Sequence, residues 1–179
     1  VAPGRRRMAD AAATSDEVTA LRAGCGKVAW LVRNTRPDLA FELAYIMQNI
    51  TTAKVSTVMR FNELVKNAKQ GAHQKVTFEP IPLDEINVIG WCDASFANVD
   101  DGTVDDGVTL ASQAGYVIGY ATNEAVQDGK GMVSIAEWLT HRLKRKVRST
   151  LAAETMSANE CLEAMDIHRA HLAELRGDG

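Results

Sequence analysis

The spacing of apolar residues changes along this chain and later changes back, and few architectures accommodate that order. Up to Gly71 the apolar residues recur at helical spacing. Beyond it they fall into short runs rich in Val, Ile, Tyr and Trp, and the helical spacing returns after Ser149. Thr14-Ser15-Asp16-Glu17 has the form of a capping box, with Thr14 as N-cap and Glu17 three residues on. Val18, Leu21, Val28, Leu31 and Val32 continue that helix, interrupted by Gly24-Cys25-Gly26, where two glycines predict a kink or close packing. Thr35-Arg36-Pro37-Asp38 opens a second helix, with Pro37 early, where its missing N–H does no harm. A third helix is expected over about residues 56–70, with Val58, Phe61, Leu64, Val65 and Ala68 on one side and Gly71 as its stop. Strands are expected over 85–96, 113–121 and 131–139, with a solvated loop over 98–107 and a polar hairpin connection over 122–130. Ser149-Thr150 then starts the longest helix, which runs to about Leu175. Helices, three antiparallel strands and a closing helix make an α+β fold.

Charge divides the chain in the same place. Residues 1–80 carry twelve Lys/Arg against seven Asp/Glu, a balance of +5, and residues 81–179 carry eight against sixteen, a balance of −8, which together give the net −3. Such asymmetry suggests two units with different work. The organisation expected is a disordered basic arm over 1–10, a helical segment over 11–72 and a second unit over 75–179. Three cysteines, Cys25, Cys92 and Cys161, form no CxxC pair and no zinc pattern, so buried free thiols in an intracellular, reducing compartment are the expectation. No apolar run approaches the ~18 residues of a membrane-spanning helix.

Three features bear on chemistry. Asp93 continues the strand row of Ile89 and Trp91, and a carboxylate on an apolar row needs a partner; the plainer reading is a turn residue bonding backbone N–H groups. Glu154 lies on the apolar stripe of the last helix, three after Leu151 and four before Ala158, and its plainer reading is an early-turn Glu favoured by the helix dipole. Together the two carboxylates could hold a hard divalent cation such as Mg²⁺. Arg142, Lys144, Arg145, Lys146 and Arg148 place five positive charges within 141–148. That run suits phosphate-backbone binding, or is simply a solvated connection. His168 and His171 share a helix side but lack further ligands, and surface positions are expected for them. There is no Gly-rich phosphate loop and no GxSxG.

Four of these segments, in order, resemble one family. Thr35-Arg36-Pro37-Asp38-Leu39-Ala40 resembles the TRPD(I/L)A segment before the RNase H domain of copia-like retrotransposon polyproteins. Gly90-Trp91-Cys92-Asp93-Ala94-Ser95-Phe96-Ala97 resembles that family's first strand, YxDADWA, and Gln113-Ala114-Gly115-Tyr116-Val117 its TSGYV strand. Glu137-Trp138 with Arg148-Ser149-Thr150-Leu151-Ala152-Ala153-Glu154 resembles ISW…SSTEAEY, which opens its first helix. The resemblance implies a partial RNase H-like unit after a reverse-transcriptase connection segment. It also implies Asp93 and Glu154 as catalytic, Mg²⁺-binding carboxylates, hydrolysis of RNA in RNA–DNA hybrids, and an RNA–DNA hybrid as partner. The family has at least one more catalytic aspartate on a later strand, in a CDN-like motif, and no such strand follows here. The expectation is therefore an incomplete catalytic set, with a sheet covered by the remainder of a parent polyprotein or by a protein partner. The alternative expectation is a non-catalytic structural or accessory subunit of a larger assembly, derived from a retroelement fragment.

Overall fold

A computed structural model describes residues 1–100, 110–145 and 147–178, with the side chains of 97–100 and 110 left aside. The chain divides into two compact units, one built mainly of Val1–Lys75 and the other of Val76–Asn98 with Ala111–Gly179. The fold is α+β: among the described residues, five α-helices and one three-stranded antiparallel sheet.

The first unit consists of α1 (Ser15–Thr35), a 3-10 turn over Pro37–Leu39, α2 (Ala40–Gln48) and α3 (Val55–Gln70). The capping box forms: the Thr14 hydroxyl accepts from the Glu17 N–H at 3.2 Å, and the Glu17 carboxylate accepts from the Thr14 N–H at 2.9 Å. Leu21, Cys25, Val32, Leu39, Leu43, Ile46, Val58 and Leu64 form its core. The Gly24-Cys25-Gly26 segment does not break α1. Gly24 is instead a point of close approach, where a Cβ would stand 2.5 Å from the Phe61 ring. Residues 1–10, expected as a disordered arm, are drawn onto this unit. Arg5 donates to both carboxylate oxygens of Glu17 at 3.1 and 2.9 Å and to the Ala12 carbonyl at 3.0 Å, while the carbonyls of Ala9 and Ala11 accept from Ser56 and Val55. A long-range ion pair of this kind leaves no local pattern to read.

Arg36 is the polar centre of this unit. It is 4% exposed. Its guanidinium donates to both Asp38 oxygens at 2.8 Å and to the carbonyls of Ala68 and Gly71 at 3.1 and 2.9 Å. Those carbonyls belong to the end of α3, where intrahelical donors run out. One side chain therefore joins the turn before α2 to the last turn of α3. The same bond holds the Asp38 carboxyl below its ordinary range.

The second unit orders its strands β1 (Asn87–Asp100), β2 (Leu110–Ala121) and β3 (Val133–Arg142), and closes with α5 (Thr150–Arg176). β1 starts two residues later than expected, because Leu83–Glu85 forms a 3-10 turn after Pro82, and it extends beyond residue 96. Part of the loop expected over 98–107 is thus strand; its residues 101–107 lie outside the described residues. The 122–130 connection is not a plain hairpin. It holds a short helix, α4 (Asn123–Asp128), capped by Thr122 and stopped by Gly129 at φ 67°, a left-handed conformation that glycine adopts without cost. β2 and β3 pair antiparallel from Gln113↔Arg142 to Ala121↔Val133. A bulge at Ala136 lies between Ile118↔Glu137 and Gly119↔Ile135. Ser149 caps α5 by accepting from the Ala152 N–H at 3.2 Å.

Replacing Arg36 by Met should strand two carbonyls and a carboxylate at once. The expected loss is about 2–3 kcal/mol, the scale of removed charge-assisted hydrogen bonds, read as a lower urea midpoint. Arg36→Lys should recover only part of it, since an ammonium cannot reproduce the bidentate fork.

Candidate functional site

The disposition of β1 under α5 decides what the sequence candidates can do. Side chains alternate along a strand, and the even-numbered residues face the helix. A Cβ on Gly90 would stand 2.6 Å from Cys161 Sγ and 2.7 Å from Met165 Sδ, and Ala94 is buried in a cluster with Ala114, Leu143 and Ala153. The odd row of Ile89, Trp91 and Asp93 therefore faces away from α5. Trp91 lies there against the backbone of β2, 3.2 Å from where a Gly119 Cβ would be, and Asp93 is exposed. The reason is size. α5 presents Ala153, Ser157, Cys161 and Ala164 to the sheet, and a helix lying this close admits Gly90 and Ala94 beneath it rather than Ile89 and Trp91.

Asp93 meets the helix only through its backbone: its carbonyl accepts from the Ser157 hydroxyl at 2.9 Å, and the Gly115 carbonyl accepts from the same hydroxyl at 3.1 Å. Glu154 follows the buried Ala153 and is itself half-buried. The elements that carry Asp93 and Glu154 meet through other groups, Ala94 and Ala153 in one buried cluster and the Ser157 hydroxyl on the Asp93 carbonyl. Among the described residues no group of three or more His, Cys, Asp or Glu side chains converges in a way that could hold a metal ion. Asp93 and Glu154 therefore have no third such side chain completing a site with them among the described residues.

The basic run begins inside β3 rather than after it. Arg142 closes that strand, half-buried, and Leu143 is buried. Lys144, Arg145 and Arg148 are exposed; Lys146 lies outside the described residues. His141 is anchored by Glu160, whose carboxylate lies 2.6 Å from Nε2. No protein-family model, curated protein or solved structure matches the chain. Among the described residues no helix is long and apolar enough to cross a membrane.

The sheet and α5 do converge on one polar cluster, which the sequence candidates did not include. The Tyr116 hydroxyl donates to Glu137 Oε1 at 2.7 Å, His168 Nε2 lies 3.0 Å from Glu137 Oε2, and the Tyr120 hydroxyl lies 2.7 Å from His168 Nδ1. A carboxylate only accepts, so Nε2 carries a proton, and on the neutral ring Nδ1 accepts from Tyr120. The Tyr120 and His168 rings also meet edge to face, with centroids 5.5 Å apart. His168, expected at the surface, has a side chain only 14% exposed. One signal was available: Tyr116, Ile118 and Tyr120 share a strand face, and Ile118 is fully buried. The partners, 21 to 48 residues away in sequence, were not. The cluster contains no free nucleophile and acts as a polar tie between sheet and helix.

Burial, and then the bond to Glu137, push the Tyr116 phenol well above its ordinary range. A raised folded-state pKa means that the stability contributed is complete below the unfolded value of about 10 and is lost as pH rises beyond it. Urea midpoints should accordingly fall above about pH 10. Tyr116→Phe should flatten that fall while lowering the midpoint at neutral pH by removing one hydrogen bond, about 1 kcal/mol.

Proposed function

We propose that this chain is a non-catalytic RNase H-like unit, derived from a retroelement and acting as a structural or accessory part of a larger assembly. The observation that carries the reading is the exposed Asp93 carboxylate, which faces away from the helix bearing Glu154, while Ser157 occupies the junction between them. Two-metal phosphodiester hydrolysis needs several carboxylates that converge on the ions, and among the described residues no group of three or more His, Cys, Asp or Glu is placed to hold one. The resemblance of the strand and helix segments to copia-like polyproteins supports the ancestry. The exposed Leu151 and Leu162 on α5 and Phe78 before the sheet support burial against another protein surface.

The nuclease reading differs in what it demands of an assay. The protein, incubated with an RNA–DNA hybrid in Mg²⁺ or Mn²⁺, should leave the RNA strand intact, and Asp93→Asn and Glu154→Gln should change nothing. Cleavage that both substitutions abolish would overturn the proposal and restore the metal-dependent hydrolase. Hybrid binding that weakens steeply with salt, without cleavage, would assign Lys144, Arg145 and Arg148 a phosphate-contacting role within the non-catalytic reading.

A further inference from the structure

We propose that Cys92 and Cys161 form a reversible disulfide that joins the edge strand β1 to α5. Cys92 belongs to the even-numbered row facing the helix, between Gly90 and Ala94. Cys161 is one turn beyond Ser157, whose hydroxyl bonds the carbonyl of Asp93, the residue next to Cys92. The Cys161 sulfur lies 2.6 Å from where a Gly90 Cβ would be, so it occupies the space that a side chain at position 90 would fill. Same-face neighbours on a strand are about 6.7 Å apart. The two thiols are already neighbours: Cys161 meets the Cys92 side chain in a hydrogen bond.

The two thiols differ in the way a peroxide-driven disulfide requires. Cys92, expected to be buried, is exposed because it lies on the edge strand, whereas Cys161 is 3% exposed. Burial, and then Cys92 beside it, push the Cys161 thiol above its ordinary range, so it stays protonated. A small peroxide therefore meets Cys92 first. The Cys92 thiolate attacks one peroxide oxygen and the O–O bond breaks; with a proton from solvent the other oxygen leaves as water, and Cys92 becomes a sulfenic acid. The Cys161 sulfur then attacks the Cys92 sulfur. The S–S bond forms, the sulfenic S–O bond breaks, and hydroxide leaves with the Cys161 proton as a second water. Two thiols lose two electrons and one peroxide gains them. A dithiol reductant reverses the step by thiol–disulfide exchange.

The inference is independent of whether the unit is catalytic. The test is treatment of the folded full chain with hydrogen peroxide, followed by intact mass and non-reducing peptide mapping. The expected product has lost two hydrogens, yields a linked Cys92–Cys161 peptide, melts at a higher temperature than the reduced chain, and reverts with dithiothreitol. Cys92→Ser and Cys161→Ala should each abolish the link, and Cys25→Ser should retain it. Should Cys161→Ala fail to fold, Cys92→Ser at the exposed strand position and the wild-type peptide map decide the matter. An unchanged mass, oxygen added to Cys92 without a link, or a link through Cys25 would each overturn the proposal.

Discussion

The close approach of α5 to its sheet governs the second unit. Ala153, Ser157, Cys161 and Ala164 leave little between the helix backbone and the strands, and Ser157 uses the gap to bond carbonyls of β1 and β2 at once. Small faces pack on small faces because interiors tolerate neither voids nor overlap. Gly90 and Ala94 follow from that, and with them the outward direction of Ile89, Trp91 and Asp93. Asp93 is thereby turned outward by a packing choice made several residues away.

The first unit is organised differently. Its helices meet through an apolar core, but a buried guanidinium joins the start of α2 to the end of α3. An unpaired charge at that depth would cost several kcal/mol, and Arg36 avoids it with four hydrogen bonds. The Arg-Pro-Asp triplet thus combines local preorganisation by Pro37 with a long-range tie, and Asp38 aligns the fork that caps α3.

Much of the fold was legible because its signals are local. Thr14 and Ser149 are caps that bond within three residues, Pro37 starts a turn, and the β-rich runs fall where the strands are. What escaped was non-local. Alternation shows that Ile89, Trp91 and Asp93 share a face of β1, but not which face meets the helix, and hydrophobicity favoured the wrong one. The polar tie of Tyr116, Glu137, His168 and Tyr120 needs three elements to be in place before it exists. Arg5 likewise looked like part of a free basic arm until Glu17 was beside it.

The bulge at Ala136 has a consequence for how β3 tolerates change. One unpaired residue shifts the phase of the strand, so Ser134 and Glu137, an odd number of positions apart, both lie on the face toward α5. The two halves of β3 are thus amphipathic in opposite phase. Deleting Ala136 would restore plain alternation, with Ile135 still opposite Gly119 and Glu137 still opposite Ile118, whereas a single residue inserted or lost well away from the bulge would turn the segment beyond it to the wrong face. The strand behaves as two short rulers joined at a hinge mark, and the loss of one residue is absorbed at that mark alone.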